Sequence, residues 1–530
     1  LLVLAIGLFV HRGMWVFTCD DAYISFRYAR NLAELGALTY DPSHTPPVEG
    51  YTNFLWVVLL AAGMKLGVAP EVASSALSFV AGLTILWLVR GLVGEVLPIR
   101  DVGADRGERQ APNAGRGGPV AREACGFLCA SILVSTPMFV VWTSSGLETS
   151  FATALVLGAL MCERRGALRI AAVLAALAVL TRPDAVVPLG GAILGIAGSR
   201  PRSAWPRREV MAQAALLMTV PLLLHLGWRR LTYDAWLPHT WEVKRHGAAL
   251  ATSHGLAYLK VWTRDLGLIW WLPLVAFVRR RHLPLALPVL ASVVYVVSVG
   301  GDFMAYGRFL QLSLVLMVVL AGWVVVDFAA CRGGRRWAVW GGPMVLTALA
   351  VSVLLRAPGL LHRDRGGAWL DGMFESVAAM DRFARVRLAA GAWMRENLPA
   401  DLTVSVGAAG AMPFASGLSV VDTHGLVEGD LGGFRAPDLG AKARPGHQLR
   451  ATLSYIKSRN PDLMCHAGYV GTQTPPIREA RRRGRGDYRW ACIPVGEIPL
   501  PLEGPDLQDV GTYCCLRKVD HIVGPFGGAE

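Results

Sequence analysis

Residues 1–35 read LLVLAIGLFVHRGMWVFTCDDAYISFRYARNLAEL and join an apolar segment directly to a polar, amphipathic one. The pair Asp20-Asp21 lies at this junction. Carboxylates at the edge of a bilayer are costly to place, so acidic residues there are candidates for function. We therefore expect both carboxylates at the start of a long first outer loop, where a membrane enzyme can act on a lipid-carried substrate.

The composition of the whole chain favours a membrane protein. Hydrophobic residues make up 53% of its 530 residues and charged residues 17%, whereas about a quarter of a soluble protein is charged. The mean hydropathy is +0.41, and the apolar residues form long runs, as in polytopic membrane proteins. The net charge of +13 does not indicate nucleic-acid binding, because much of the excess lies in arginine clusters between apolar runs.

The apolar runs predict an α-helical polytopic protein with about 11 transmembrane helices. Several runs are shorter than the roughly 20 residues of a simple span, so some should be tilted, broken or buried. The first run is interpreted as a truncated helix and not as a cleavable signal peptide, because no cleavage-site pattern follows it. The predicted spans are 1–17, 72–97, 124–142, 150–162, 168–181, 185–199, 211–228, 261–278, 283–299, 309–329 and 337–355.

A cytoplasmic N-terminus makes all five internal connections arginine-rich, as the positive-inside rule requires. The rule holds only if residues 53–66 do not cross the membrane. We interpret them as a membrane-skimming or re-entrant helix, with an ordinary span as the alternative. The arginines of the internal connections are Arg100, Arg106, Arg109, Arg116 and Arg122, then Arg164, Arg165 and Arg169, then Arg200, Arg202, Arg207 and Arg208, then Arg279, Arg280 and Arg281, and finally Arg332, Arg335 and Arg336.

This topology gathers the polar residues of chemical interest on the outer side of the membrane. The topology was assigned only from the positive charges of the internal connections. Because these outer residues were not used, their location on one side predicts an extracytoplasmic active site. The outer residues are Asp20, Asp21, Glu49, Glu148, Arg182, Asp184, Lys244, Asp302 and Arg308.

Two domains are predicted. Residues 1–355 form the transmembrane domain, with a first outer loop, 18–71, that carries interfacial helices. Residues 356–530 form a small extracytoplasmic α/β domain, because short strand-like runs alternate with helical stretches. Its strands are predicted at 403–406 and 418–421 and its helices at 376–395 and 448–457. Cys465, Cys492, Cys514 and Cys515 would lie in an oxidising compartment, where disulfides form, but their pairing is left open.

Helical spacing of the apolar residues over 20–35 predicts an interfacial helix. Asp20, Arg27 and Asn31 share another face of it, where a carboxylate and a guanidinium could hold an acceptor hydroxyl and a phosphate together. A solvated amphipathic helix with a local charge pair is the alternative interpretation.

The polar turn PPVEGYTN, residues 46–53, follows in the same loop. Glu49, Thr52 and Asn53 can hydrogen-bond sugar hydroxyls. Helix capping by Thr52 or Asn53 is the alternative.

Shorter outer segments add further candidates. Glu148 either has a functional role or stabilises the N-terminus of a helix by interacting with its macrodipole. Arg182 and Asp184 form either a self-satisfied ion pair or part of a phosphate site, since arginine is a natural phosphate ligand. His239, structural or functional, and Lys244 belong to a longer loop that is expected to fold over the site.

The string GGDFMAYGR, residues 300–308, combines flexible backbone with an acid, Asp302, and a base, Arg308. A functional role is favoured, because few such strings occur in apolar surroundings. The sequence contains no P-loop, dinucleotide fingerprint or zinc-protease motif. Outer carboxylates are compatible with a divalent metal, but nothing specifies one, so no cofactor and no metal ligand is assigned.

Six strings resemble the GT-C superfamily of integral membrane glycosyltransferases, and they run in order along nearly the whole chain. The first resembles the opening of the mycobacterial terminal arabinofuranosyltransferases and their wider bacterial relatives, whose carbohydrate-binding tail is larger than the tail here. The strings are DDAYISFRYARN (20–31), SSGLE (144–148), RPD (182–184), GDFM (301–304), GAAGAMPF (407–414) and VDTHGL (421–426).

The resemblance implies a multi-pass enzyme of the bacterial inner membrane. It would move a sugar, with arabinofuranose as one candidate, from a polyprenyl-phosphate donor to an extracytoplasmic glycan, lipid or protein. A phosphate leaving group needs cations to neutralise it, and Arg27, Arg182, Lys244 and Arg308 are the candidates. Direct displacement inverts the anomeric centre.

The acceptor hydroxyl needs a base, and a carboxylate at the mouth of the site suits this role. Asp20 or Asp21 is predicted, because adjacent like charges push their proton affinities apart. The residues expected to position sugar and acceptor are Asn31, Glu49, Thr52, Asn53, Glu148, Asp184, His239 and Asp302.

A polytopic transporter or lipid-linked sugar flippase is the alternative function. Transporters often contain internal repeats and helices broken at the midplane, whereas this chain has asymmetric outer loops, a folded outer tail and no evident repeat. A structural or sensory scaffold is a third interpretation, but it leaves the gathering of outer charges unexplained.

Overall fold

The computed structural model describes residues 2–44, 46–94, 118–245, 248–267, 279–328, 341–367, 369–370, 374–436, 447–471, 488–496, 511–518 and 526. Parts of five predicted spans, namely 1, 95–97, 268–278, 329 and 337–340, lie outside these residues. So do seven arginines of the predicted internal connections, which are Arg100, Arg106, Arg109, Arg116, Arg332, Arg335 and Arg336.

Helices dominate the first two thirds of the chain, because a helix satisfies its backbone hydrogen bonds within one segment, as lipid requires. In chain order they are α1 (Leu2–Gly13), α2 (Asp20–Leu35), α3 (Phe54–Lys65), α4 (Pro70–Gly94), α5 (Gly118–Ser135), α6 (Pro137–Val140), α7 (Thr149–Arg164), α8 (Leu168–Thr181), α9 (Val186–Ser199), α10 (Arg208–Tyr233), α11 (His239–Arg245), α12 (Ala248–Leu266), α13 (Leu283–Val299), α14 (Gln311–Phe328) and α15 (Gly342–Arg365).

Among the described residues, five helices are long and apolar enough to cross a membrane. A sixth candidate, the predicted span 124–142, is bent by 78° between Arg122–Ser135 and Pro137–Thr143. Pro137 explains the break, since proline cannot continue the preceding helix. The five long helices are Pro70–Gly94, Arg208–Tyr233, Arg280–Val299, Arg308–Asp327 and Gly342–Arg365.

Several apolar helices are shorter, and α3 is the informative one. Its 12 residues extend about 18 Å at 1.5 Å per residue, which is short of the roughly 30 Å hydrocarbon core. This length agrees with the predicted skimming or re-entrant helix at 53–66.

The connection between the predicted spans 211–228 and 261–278 is largely helical. Helix α10 continues to Tyr233, and α11 and α12 occupy most of the remainder. Hydropathy marks where a helix is apolar, but backbone hydrogen bonding continues through polar residues such as Arg229 and Arg230.

Helix α2 has the predicted bounds, but its surroundings differ from the prediction. Residues 22–29 are all buried, so it is not an interfacial helix with a solvated polar face. The face that carries Asp20 and Arg27 packs against the C-terminal part of the chain, because Ala411 donates to Asp20 and Arg27 donates to Pro413.

The C-terminal part contains a five-stranded sheet with the order β4-β3-β7-β9-β8. Strand β3 is parallel to β4 and β7, and β9 is antiparallel to β7 and β8. The strands are β1 (Trp369–Leu370), β2 (Phe374–Glu375), β3 (Thr403–Val406), β4 (Ser419–Asp422), β5 (Phe434–Arg435), β6 (Arg450–Ala451), β7 (Leu463–Gly471), β8 (Tyr488–Pro494) and β9 (Thr512–Lys518). The helices are α16 (Val377–Asn397), α17 (Ala411–Ser416) and α18 (Leu453–Ser458).

This mixture of strands and helices confirms the predicted fold class, a helical membrane part followed by a small α/β part. The predicted helix 448–457 is correct only in its second half, because Arg450–Ala451 forms a strand and Thr452 caps α18 by accepting from the N–H of Tyr455. The predicted boundary at 355 falls within α15, so it marks a change in hydropathy and not the end of an element.

Two disulfides join neighbouring strands. Cys465 pairs with Cys515 between β7 and β9, and Cys492 pairs with Cys514 between β8 and β9. Adjacent residues of a strand point to opposite faces, so Cys514 and Cys515 bond on different sides of the sheet. The pairing that the sequence left open is thus set by strand register.

Candidate functional site

The loop between α13 and α14 brings an acid and a base together. Gly301 and Gly307 have φ of 71° and 67°, in the left-handed region that glycine adopts without strain. The loop turns so that Arg308 Nε lies 2.7 Å from Asp302 Oδ2. A β-bridge between Met304 and Glu375 ties the loop to the C-terminal part.

A second ion-pair group surrounds Arg182. Its guanidinium donates to both carboxylate oxygens of Asp184, at 3.0 and 2.8 Å, and to Glu148 Oε1 at 3.0 Å. The other Glu148 oxygen accepts from Asn53 Nδ2 at 2.9 Å. The self-satisfied ion pair is therefore present and is extended to Glu148, while Asn53 is the N-cap residue of α3 without capping through its side chain.

The two groups are joined by Phe309. The guanidinium carbon of Arg182 lies 5.3 Å from the centre of its ring, and that of Arg308 lies 5.0 Å from it. Cation–π contacts of this kind hold guanidinium groups in place.

Asp21 completes this group of charges from the first turn of α2. Burial raises the pKa of its carboxyl, and the positive charges of Arg308 and Lys244 oppose the rise. Asp302 and Glu148 raise its pKa further. The structure therefore brings Asp21 within the field of charged residues from three other predicted outer segments.

Two cations in this group are open to a ligand. The terminal nitrogens of Arg308 and the ammonium of Lys244 have no hydrogen-bond partner in the described part of the chain. Lys244 is also exposed. By contrast, Arg182 already donates to two carboxylates.

Asp20 points toward the C-terminal part. Its Oδ1 accepts from the N–H of Ala411 at 3.0 Å. Burial raises the pKa of Asp20 to about 6, against the lowering effects of the Arg387 charge and the Ala411 N–H. The carboxylate of Asp21 adds to the rise.

Arg27 and Asn31 are placed differently from the prediction. Each of the three guanidinium nitrogens of Arg27 donates to a backbone carbonyl at 2.9 Å, those of Tyr40, Pro413 and Leu418. Asn31 donates to the carbonyls of Thr39 and Tyr40. Both side chains hold α2 against its neighbours, so this geometry does not favour a phosphate or sugar contact by either of them.

Three other candidates also lie apart from the charged group. Glu49 forms a buried ion pair with Arg229 on α10, at 2.7 Å. Thr52 is exposed. His239 donates from Nε2 to the carbonyl of Gly425 at 2.9 Å, which links α11 to the C-terminal part.

A cavity of about 330 Å³ lies between Asp20-Asp21 and the C-terminal part. Its lining includes residues at the carboxyl ends of β3 and β4 and residues within β7, such as Cys465 and His466. The chain passes from β3 to β4 on one side and later to β7 on the other, and ligands bind where strand order reverses in this way. The far wall of the cavity is its C-terminal side, and the polar residues on it are Glu375, Arg387, His424, His447, Arg450, His466 and Tyr513.

The prediction missed this wall. The strings at 407–414 and 421–426 entered only as points of resemblance, although each directly follows a predicted strand. That position was the available signal, since residues after parallel strands meet at one sheet edge. His466 on β7 gave no such signal. Its Nδ1 lies 2.7 Å from Ser405 Oγ, and burial, with a smaller effect of His424, lowers its pKa to about 4.

Within the part of the chain that the structure describes, no group of three or more His, Cys, Asp or Glu side chains is arranged to hold a metal ion. No metal ligands can therefore be named.

Comparisons with known proteins establish the fold. The family model described as Domain of unknown function (DUF8728) matches residues 378–497, in the C-terminal part. No curated protein matches the chain. Crystal structures of ArnT from Cupriavidus metallidurans, bound to undecaprenyl phosphate and in the apo state, are similar with a TM-score of 0.50 and 14% identity, over 79% of this chain and 84% of ArnT.

The chain is therefore a multi-pass membrane protein whose fold is similar to that of ArnT, in agreement with the predicted fold class. The narrower resemblance to arabinofuranosyltransferases stays a prediction.

Proposed function

We propose that this protein is a membrane glycosyltransferase that moves a sugar from a polyprenyl-phosphate donor to an acceptor outside the cytoplasm, with inversion. The observation that carries the proposal is that Asp20 and Asp21 line one cavity, while the charges of Arg308 and Lys244 act on Asp21. The undecaprenyl phosphate bound to ArnT supports the donor class.

The cations act on the leaving group. Cleavage of the bond between the anomeric carbon and the phosphate oxygen leaves a polyprenyl phosphate anion. Preorganised positive charge stabilises such an anion as it forms, and Arg308 and Lys244 supply it. Arg182 is held by Glu148 and Asp184 and positions Arg308 through Phe309.

The carboxylates act on the acceptor. In an inverting displacement the acceptor oxygen attacks the face opposite the leaving phosphate, and its proton passes to a base. Asp21 lies in the field of the phosphate-binding cations, whereas Asp20 faces Arg387 and the C-terminal wall. Asp20 is therefore the base in this proposal, and its pKa of about 6 suits proton transfer near neutral pH.

Other roles follow from position. Glu148, Asn53, Asp184 and Asp302 border the charged group and would orient the donor sugar. The sugar, with arabinofuranose as the candidate from the motif resemblance, is transferred to a glycan, lipid or protein. Residues 356–530 and the site face away from the cytoplasm of a bacterial inner membrane.

The test is transfer by the purified protein in liposomes, given a panel of radiolabelled polyprenyl-phosphate sugars and an extract of envelope acceptors. We expect a covalent labelled product. Asp20→Asn should lower its rate by roughly 10²–10⁴ fold, the scale of general-base catalysis, while the variant remains folded and monodisperse.

Full activity of Asp20→Asn, Asp21→Asn and the double variant would end the base assignment. Accumulation of labelled sugar lipid across sealed vesicles without a covalent product would favour the flippase and overturn the proposal.

A further inference from the structure

The cavity has two walls of opposite charge. Asp20 and Asp21 lie on the membrane side, and Arg387 and Arg450 lie on the C-terminal side. Arg387 is half-buried, and its charge acts on Asp20. Arg450 is exposed. A ligand that fills the cavity therefore meets an acidic group at one end and cationic groups at the other.

The cation at Arg450 is left uncompensated. In the described residues it has neither an ion pair nor a hydrogen bond from its side chain. Arg450 on β6 lies directly opposite Arg435 on β5, and like charges in that position repel each other. The guanidinium of Arg435 donates to the carbonyls of Gly432 and Phe434, which leaves Arg450 as the member of the pair that is open to an anion.

The remaining polar groups of this wall do not remove the positive charge. Glu375 also lines the cavity and places one carboxylate on this wall, which the two guanidinium groups of Arg387 and Arg450 outnumber. His466 has a lowered pKa of about 4 because of burial, so it is neutral and can hydrogen-bond a hydroxyl. The volume of about 330 Å³ is at the lower end of small-ligand sites, which span about 300–1,000 Å³, so it suits one sugar-sized unit.

We propose that the acceptor is anionic. The unit that enters the cavity is a sugar or polyol that carries a phosphate or carboxylate. Its anionic group binds Arg387 and Arg450, and its hydroxyl faces Asp20. This inference rests on the proposed function, to which it adds the chemical class of the acceptor and the site that binds it.

Binding of inorganic phosphate to the purified full-length protein tests the inference without any turnover. We expect equilibrium dialysis with radiolabelled phosphate to find two sites, one at Arg308 and Lys244 and one at Arg387 and Arg450. The double variant Arg387→Gln/Arg450→Gln should lose one site and Arg308→Gln/Lys244→Gln the other. The matched control Arg435→Gln, beside the cavity, should keep both.

Two sites in Arg387→Gln/Arg450→Gln, or no binding left in Arg308→Gln/Lys244→Gln, would overturn the inference. Two sites in Arg308→Gln/Lys244→Gln would instead refute the donor site of the proposed function, while the acceptor site would stand.

A matched pair of sugars tests the ligand class. In Arg308→Gln/Lys244→Gln, methyl β-glucuronide should displace bound phosphate at a concentration about tenfold lower than methyl β-glucoside does, the scale of one charge-assisted hydrogen bond. The same displacement measurement with glycerol 3-phosphate and with glycerol tests a ligand whose anionic group is a phosphate. Equal displacement by the charged and neutral members of both pairs would overturn the anionic acceptor.

Discussion

At the scale of residues, the adjacent carboxylates of Asp20 and Asp21 lie in different environments. Asp20 accepts a backbone hydrogen bond from Ala411 and faces Arg387, whereas Asp21 faces Arg308 and Lys244. The sequence could predict that the proton affinities differ, because like charges adjoin. The partner of each carboxylate depends on segments hundreds of residues away.

The pH dependence of turnover follows from Asp20. A base must be ionised, and burial raises the pKa of Asp20 to about 6, so kcat/KM should rise with pH through about 6 and level off above it. The charge of Arg387 lowers this pKa, and Arg387→Gln should therefore move the acidic limb to higher pH. Profiles of the wild type, Arg387→Gln and the control Arg435→Gln would check this.

An acidic limb near pH 4, or the same limb in Arg387→Gln and the wild type, would contradict the role of Asp20. The limb in Arg435→Gln should match that of the wild type, since Arg435 does not line the cavity.

At the scale of elements, the contact between α2 and α17 fixes the catalytic end of α2. Arg27 donates to the carbonyl of Pro413 within α17 and to that of Leu418 just after it, and Arg30 donates to the carbonyl of Phe414. Gly410 precedes α17 and lies against Asp20, where a Cβ would overlap both the backbone and the carboxylate of Asp20.

Gly410→Ala should therefore lower kcat although no charged residue is replaced, because the added methyl group displaces the Asp20 carboxylate. We expect a loss of about 10² fold, the scale that a displacement of about 1 Å can cause in an active site. Transfer assays on the purified variant measure it.

Gly190→Ala is the matched control, because a Cβ on Gly190 meets nothing within 4 Å. Equal rates for Gly410→Ala and the control would show that the contact does not position Asp20.

At the scale of the whole molecule, orientation decides whether the site faces the cell envelope. The first loop, the 300–308 loop and the C-terminal wall line one cavity, through Asp20 and Asp21, Phe303 and Met304, and Arg387, so these segments share one side of the membrane. Arg202 and its neighbours lie between α9 and α10, on the side that the positive-inside rule assigns to the cytoplasm.

Single cysteines test this orientation in a background whose native free cysteines are replaced. Thr52 and Ser203 are both exposed. A membrane-impermeant thiol reagent added to spheroplasts should label Thr52→Cys and should label Ser203→Cys only after lysis. The reverse pattern would place the cavity in the cytoplasm and remove the extracytoplasmic assignment.

The sequence by itself determined that the molecule is a helical membrane protein, because hydropathy and helical periodicity are local properties that decide whether a segment is stable in a bilayer. It also predicted α2, α16 and the strands β3 and β4 to within about two residues. Glu148, Arg182, Asp184, Asp302 and Arg308 were predicted as site residues because charges in short apolar connections are costly and rarely incidental.

Only the tertiary structure decided which surface each polar face meets. The sequence predicts that the α2 face with Arg27 is solvated or catalytic. In the structure the C-terminal part covers this face, and the Arg27 guanidinium donates to three backbone carbonyls. The far wall of the cavity and the pairing of Cys465 with Cys515 follow from strand order and register. The physical reason is that burial and charge compensation arise from packing between segments distant in the chain, which local periodicity does not record.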